Sequence, residues 1–369
     1  MLVGDRTKYV SLIIGLSFAT LLMTEQCSIF IELMRRTYST VSDIPAARVW
    51  VMDPEVQYPD DLKPLKDTDL FRVRDVPGVD WAVAMFKGAG RARTQDGAFQ
   101  SVNIIGIDYT SLVGAPAHML QGKITDLWQP DAVIIDDAGA LRMGAVKVGD
   151  VLEINDHRAR IVGICKVGRT FSSNPVIYTN YSQATFYAPM ERHVLTFVLT
   201  APKPGVSDQE LARRIRDKTG LGALASWDFC KKTLVWYTQN TGATINMGMT
   251  VILGFLIGLA IAAQTFYSFT IENLRHFGAL KAMGATNRQL VKMVLLQGMA
   301  VGVISYGIGT GSAELFGMTA RANTVLIAFH TPPELLAAAF VFELVLVALA
   351  SFMCIRSVIK LEPAIVFRS

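Results

Sequence analysis

"ENLRHFGALKAMGATNRQLVKM", residues 272–293, lies between two of the most apolar stretches of the chain, and its reading decides the architecture. It is basic, carrying Arg275, Lys281, Arg288 and Lys292, and it is broken by Gly284. Leu274, Phe277, Leu280 and Met283 recur every three residues, a ridge that drifts slowly around a helix, while Arg275, His276 and Lys281 populate the other sides. Gly284 suits the left-handed residue that ends such a helix. Thr286-Asn-Arg-Gln289 then has the form of a capping box, T-x-x-Q, which opens a second helix. The stretch therefore predicts a short interfacial helix, a break, and a membrane span. Taken alone, a two-sided basic helix of this kind can lie on lipid headgroups.

Working outward, four segments meet the requirement of about 20 mostly apolar residues for a spanning helix. They are residues 9–31, 245–269, 290–312 and 335–355. A cleaved signal peptide is the rival reading of the first. Its apolar run is long, no small-x-small cleavage site follows, and "MTEQC" places bulky polar residues before Cys27, so a retained helix is expected. The mean hydropathy of +0.36 with 18% charged residues is too apolar for a soluble protein and too polar for a chain that only crosses membranes. One membrane part and one water-exposed part are expected. Nine Lys and Arg against three acids flank the spans at the N-terminus, in the 272–292 loop and at the C-terminus. That bias puts both termini and the loop in the cytoplasm, and residues 32–244 and 313–334 outside. A formal net charge of +4 gives no reason to expect nucleic acid.

The large outside region has a different texture. β-rich runs such as "SVNIIGID", "DAVIIDD", "DVLEIN", "ARIVGIC" and "PVIYTN" alternate with Gly, Asp and Pro turns. "DQELARRIRDKTG" reads as a helix with Asp208 near its start and Gly220 closing it. A mixed α/β domain large enough to bury its own core follows. It contains no nucleophile–base pair, paired carboxylates or phosphate loop. "QGKI" at Gln121–Ile124 lacks the other residues of a P-loop, so no ATP hydrolysis, cofactor or metal is expected on this chain. Cys27, Cys165, Cys230 and Cys354 are far apart; Cys165 and Cys230 either pair across the domain or are two buried thiols. Helices flank the domain. "ELMRRTYSTV" continues the first span outward, and Ser226 as N-cap would start a single rod to Thr270, about 65 Å long, the alternative being two helices with a hinge at Gly242. Trp236 and Tyr237 would fall in an outer-leaflet aromatic belt.

Within the spans, Glu25 and Glu314 are expected near the outer interface. Glu343 lies deeper, about 12 Å along its helix. It either marks a proton or substrate path or sits neutral against a polar side chain of the bundle, and with Gln297 it forms a candidate intramembrane polar site. Three glycine pairs, Gly254/Gly258, Gly298/Gly302 and Gly307/Gly311, permit close helix approach. Thr331-Pro-Pro-Glu334 has the form of a second capping box, with Pro333 in the first turn of the last helix.

"FGALKAMGATNRQL" resembles the loop between the second and third membrane helices of FtsX-like permeases, the ABC-transporter membrane subunits related to the macrolide exporter MacB and to lipoprotein-releasing permeases. "VRDVPGVDWAVAMF", "VNIIGID" and "VKVGDVLEINDHRARIVGI" are similar to the periplasmic domain of that family, and "IKLEPAIVFRS" to its tail. "FATLLMTEQC", "VGRTFSSNPVIYTN" and "HFGALKAMGA" lean toward the DevC-like permeases of heterocyst-glycolipid exporters. The resemblance implies a polytopic α-helical protein of the bacterial inner membrane, with four spans, both termini inside, and a mixed α/β periplasmic domain between the first two. The implied divisions are 1–42, stub, first span and stalk; 43–225, periplasmic domain; 226–270, stalk and second span; 271–289, cytoplasmic loop; 290–313, third span; 314–332, outer loop; 333–356, fourth span; and 357–369, tail. In that family the loop helix is a coupling helix seated in a groove of the ATPase. By resemblance its contacts fall on Arg275, His276, Phe277, Ala279, Lys281, Ala282, Met283 and Gly284. His276 stands where the family usually has Glu, and Gln297 where it often has an acid, so any ion pair of those carboxylates is absent here or replaced by a pH-sensitive contact. The implied partners are a cytoplasmic ABC ATPase carrying ATP and Mg, a second copy of the chain, a periplasmic membrane-fusion protein, an outer-membrane channel and membrane lipids. The implied function is export of an amphiphilic or hydrophobic substrate by mechanotransmission. The alternative is a signalling scaffold that uses the same lever to regulate a periplasmic enzyme such as a peptidoglycan hydrolase.

Overall fold

The computed structural model describes residues 6–94, 96–188, 195–323 and 328–359. The chain divides into two compact units, one of Met1–Leu33 with Gly242–Ser369 and one of Met34–Thr241. The cut at Thr241 falls between helices, whereas the cut at Leu33 falls inside one. Helix α1 (Arg6–Thr37) runs on past Leu33 without interruption, and α2 (Ser39–Ser42) follows it.

The Met34–Thr241 unit is mixed α/β. Its strands are β1 (Val49–Met52), β2 (Val79–Arg93), β3 (Phe99–Ile107), β4 (His118–Gln121), β5 (Ala132–Asp136), β6 (Val151–Ile154), β7 (His157–Lys166), β8 (Val176–Asn180), β9 (Phe197–Pro202) and β10 (Gly222–Ala225). Its helices are α3 (Asp67–Arg74), α4 (Asp137–Arg142), α5 (Tyr181–Tyr187), α6 (Asp208–Thr219) and α7 (Ser226–Asn240). β2 is long enough to serve two lobes. Its first half pairs antiparallel with β9, from Val79 opposite Pro202 to Met85 opposite Phe197. Its second half pairs with β3, and its end with β6 through Ala92 and Ile154. Because β3 pairs β8, β8 pairs β5, β5 pairs β7 and β7 pairs β6, those five strands lead back to β2 and close a ring of six. Alternate residues fill its interior: Phe86, Val102, Ile104, Val133, Ile135, Ile154, Ile161 and Ile177. All five β-rich runs read from the sequence are strands of this ring.

The other lobe is the open sheet β10–β1–β9–β2. β1 is buried at every residue, which is why "VWVM" is continuously apolar rather than alternating. Val49 and Val51 face Val73, Leu211 and Ile215 of α3 and α6. Trp50 faces the opposite way, 5.4 Å from the Phe197 ring and 6.0 Å from Phe229 of α7. α6 begins at a Ser207 cap that accepts the Glu210 N–H and ends at Gly220 with φ +72°, matching its sequence signals.

Helix α7 departs from expectation in two ways. Ser226 is its first residue rather than its cap, and its hydroxyl donates to the Ala47 carbonyl. The single rod to Thr270 is also corrected: α7 ends at Asn240, Thr241 turns extended with ψ 145°, and α8 (Ala243–Glu272) starts afresh. Trp236 and Tyr237 both pack on Tyr58, at 4.2 Å and 5.3 Å, and Tyr237 is buried. Phe171 completes that cluster at 4.8 Å from Tyr237.

The remaining unit holds α1, α8, α9 (Leu274–Ala282), α10 (Asn287–Asn323) and α11 (Pro333–Ile359). Four of these are long and apolar enough to cross a membrane: Thr7–Thr37, Ala243–Glu272, Asn287–Ala320 and Pro333–Phe352. They share one core, in which Leu16, Phe266, Val301 and Leu346 each come from a different helix. Glycines let the helices approach. A Cβ on Gly258 would stand 2.5 Å from Ala19 Cβ, and one on Gly298 would stand 2.9 Å from Val347. Gly307 and Gly311 have nothing within 4 Å; it is Gly309, between them, that meets α1 at the Ser17 carbonyl. α10 also continues to Asn323, well past the expected end near Ser312. Thr331, expected to cap α11, places its hydroxyl 2.9 Å from that of Ser28 on α1. Of the expected tail at 357–369, residues 360–369 lie outside the described residues.

Candidate functional site

Helix α9 is set between α8 and α10 by three local devices. Asn273 alone separates it from α8: the Asn273 N–H and side-chain amide both donate to the Phe269 carbonyl, at 3.1 and 2.9 Å, so the preceding helix closes there. Its C-terminus is a Schellman motif. Gly284, at φ +96°, donates to Lys281 O, and Ala285 donates to Leu280 O, each at 3.0 Å. A capping box then opens α10. The Gln289 side chain accepts the Thr286 N–H at 2.8 Å, and the Gln289 N–H reaches the Thr286 hydroxyl at 3.4 Å. α9 is thus terminated independently of the span that follows it.

The helix has an inner and an outer side. Phe277 is 1% exposed and packs in the bundle core with its ring 6.5 Å from Phe269 in an edge contact. Gly278 beside it is also buried, and Leu280 is half-buried against the same core. Arg275, His276, Ala279, Ala282 and Gly284 are exposed, Lys281 is intermediate, and Met283 is 76% exposed. Phe277, expected among the residues offered to a partner, turns its side chain into the bundle core. Its side chain anchors α9 to the bundle. The outward side is left basic at Arg275 and small at Ala279, Ala282 and Gly284, with one flexible apolar projection at Met283.

Sequence reasoning missed a tie at the same end of the unit. The Lys8 ammonium of α1 pairs with the Glu272 carboxylate at the end of α8, a partly exposed contact worth at most about 1 kcal/mol. Lys8 counted only toward the charge bias, and a pairing partner 264 residues away has no signature along the chain.

The intramembrane site is assembled only in part. Glu343 is fully buried and accepts the Thr20 hydroxyl at 2.6 Å. Gln297 is half-buried on α10, and its amide is not bonded to Glu343. Thr20, which sequence reasoning did not single out, was legible as one of four hydroxyl residues at positions 17, 20, 24 and 28, a single stripe of α1. Among the described residues no group of three or more His, Cys, Asp or Glu could hold a metal ion.

Comparison with known proteins matches both units. The family model "MacB-like periplasmic core domain" covers residues 11–218, and "FtsX-like permease C-terminal" covers residues 248–363. An uncharacterised ABC transporter permease of Methanocaldococcus jannaschii is 21% identical over 229 residues, 59% of this chain and 57% of that protein. The match thus spans little more than half the length of that relative. An uncharacterised ABC transporter permease of Mycobacterium tuberculosis is 22% identical over 312 residues, 82% of this chain and 79% of its own. Among solved structures, the periplasmic region of MacB from Actinobacillus actinomycetemcomitans aligns at 15% identity and TM-score 0.40, covering 55% of this chain and 96% of that one. The extracellular domain of the transporter YknZ from Gram-positive bacteria aligns at 16% and 0.35, covering 48% and 98%.

Proposed function

We propose, from the premise that this chain belongs to the family of ABC transporter permeases with a MacB-like periplasmic core domain and an FtsX-like C-terminal region, that it works by mechanotransmission. The coarse identity needs no proposal: it is a multi-pass inner-membrane permease with a periplasmic α/β domain, and such a permease works with an ATPase. The proposed step is that α9 is the lever. A separate ATPase chain, carrying ATP and Mg, grips its outward side, and two copies of the permease move together as ATP is bound and hydrolysed. Movement of the periplasmic domains then drives an amphiphilic or hydrophobic substrate toward a membrane-fusion protein and an outer-membrane channel.

The observation that carries this reading is the independent capping of α9 together with its two-sidedness. A helix with its own stop at Gly284 and its own anchor at Phe277 is rigid enough to transmit a push, and its exposed side offers a surface that the bundle does not use. A helix evolved only to rest in headgroups would turn its large apolar residues outward into lipid. Here Phe277 turns inward, and the outside holds two alanines, a glycine and basic side chains, with Met283 its one large apolar projection.

Ala279→Glu and Ala282→Glu test it in the full chain. Each is expected to weaken co-purification of the ATPase captured by the unaltered chain by about tenfold or more, a like-charge or unpaired-charge penalty at an interface, while membrane insertion and yield stay unchanged. Capture that survives both substitutions, or an unaltered chain that captures no ATPase, would remove α9 as the lever.

A further inference from the structure

The membrane unit buries a carboxylate for which the lever has no use. Glu343 on α11 is fully enclosed. Its Oε2 takes the Thr20 hydroxyl of α1 at 2.6 Å, and its Oε1 has no hydrogen-bond partner among the described residues. α10 closes the third side, where a Cβ on Gly302 would stand 3.8 Å from Glu343 Cγ. Among the described residues no cation pairs with the group. α8 is uncharged from Ala243 to Ile271, and it reaches α11 through the Phe255–Phe342 ring pair. α10 presents Gly302, Ser305 and Tyr306, whose hydroxyl is already on the Leu336 carbonyl at 3.1 Å. α1 presents the hydroxyls of its stripe and, nearer the outer end, the Cys27 thiol packed with Met23 against Leu335 and Ala339. The remaining carboxylates of these helices are distant along the chain: Glu25 and Glu32 lie five and twelve residues beyond Thr20, Glu334 nine before Glu343, Glu314 twelve beyond Gly302, and Glu272 at the far end of α8.

A charged carboxylate so enclosed, with one hydroxyl for company, carries a solvation cost of several kcal/mol. A proton removes the charge, needs no additional volume, and gives the orphan oxygen a donor to use. The same face of α1 supplies an approach. Ser17, Thr20, Thr24 and Ser28 are all buried, one turn apart, and the Ser17 and Thr24 hydroxyls have no partner among the described residues. At the end of the stripe, Ser28 meets the Thr331 hydroxyl at 2.9 Å, and its carbonyl accepts the His330 N–H at 3.3 Å, just ahead of α11. Thr20 to Ser28 covers about 12 Å of helix, leading from Glu343 to the outer end of the bundle.

We propose that Glu343 is a proton-binding site of the membrane bundle, filled from the periplasmic side along the hydroxyl stripe of α1. With the proton bound, α11 closes on α1 and α10; with it released, a charge stands at the junction of three helices and favours their separation. The site stands independently of the coupling role given to α9.

The full chain in sealed proteoliposomes of sorted orientation tests this with dicyclohexylcarbodiimide, which couples to protonated carboxyls in apolar surroundings. Mass spectrometry is expected to find the adduct on Glu343 at neutral pH and none in Glu343→Gln. Raising the pH on the periplasmic side is expected to cut the labelling rate about tenfold per pH unit above the titration point, with no such response to the cytoplasmic side. Thr24→Val is expected to blunt the response to periplasmic pH while leaving the labelling itself in place. Absence of an adduct on the unaltered chain, or labelling that follows cytoplasmic pH or neither side, would overturn the proposal. So would a periplasmic response that Thr24→Val leaves intact, because the stripe would then not be the route.

Discussion

Asp136 works at the smallest scale in the periplasmic domain. One carboxylate oxygen caps α4 by accepting the Gly139 N–H at 3.0 Å, and the other accepts the Val176 N–H at 2.7 Å, tying β5 to β8. Burial pushes this carboxyl above its ordinary value, although the two N–H donors pull the other way. The folded domain therefore binds this proton more tightly than the unfolded chain. Between the ordinary carboxylate range, near 4, and the raised value, stability falls as pH rises, and above that window the dependence is flat. Asp136→Asn is expected to remove this segment of the pH profile and to cost about 1–3 kcal/mol at neutral pH, because an amide can accept only one of the two N–H bonds. Thermal melts across a pH series check both. The cysteines give a second residue-scale outcome. Cys165 and Cys230 are buried free thiols, and burial pushes Cys230 up to about 11 and Cys165 higher still. A maleimide is expected to label neither until the domain is denatured, with no change on adding a reductant.

At the scale of the element, the stop of α9 and the start of α10 are separable. Gly284→Val forces a branched side chain into φ +96° and is expected to cost roughly 1–2 kcal/mol, while Thr286→Ala removes one cap worth about 1 kcal/mol. Denaturation of the purified chain in mixed micelles reads both losses. These signals were legible because capping is written in consecutive residues. The side of α9 that faces inward was not legible in the same way. A three-residue ridge fixes that Phe277, Leu280 and Met283 lie near one another, but it drifts, and only the neighbouring helices decide which of them is covered. Phe277 proved buried and Met283 exposed. The glycines repeat the lesson: the four-residue spacing pointed to Gly307 and Gly311, and α1 chose Gly309. The rod failed for a local reason. "NTGAT" contains no Pro, but Thr and Gly are poor helix formers, and Thr241 turned extended at no great cost.

For the whole molecule, charge and length carried most of the reading. Spans of sufficient apolar length and a bias of Lys and Arg toward three segments are bulk properties that survive without any alignment of residues. The topology predicts that a cysteine at Ala98, exposed in the turn between β2 and β3, is labelled by a membrane-impermeant maleimide applied from the periplasm of intact cells. Labelling confined to lysed cells would reverse the orientation. The closed ring of six strands was out of reach from the sequence. Each strand is marked by its own alternation, but closure depends on Ala92 meeting Ile154, a register set by packing across the domain.

If a motor protein grips α9 as proposed, the modest outer side of the helix shifts the burden of selectivity to that partner. Ala279, Ala282 and Gly284 form a saddle rather than a knob, so a mate must bring the convex part and can then approach until backbone nearly meets backbone. A bulkier residue anywhere on that saddle would lift the mate off along its whole length. Rival motor proteins in the same cell would then be sorted by their profile, and Met283, pliable and projecting, would be the apolar feature free to adapt to small differences among them, beside the long side chains of Arg275 and Lys281.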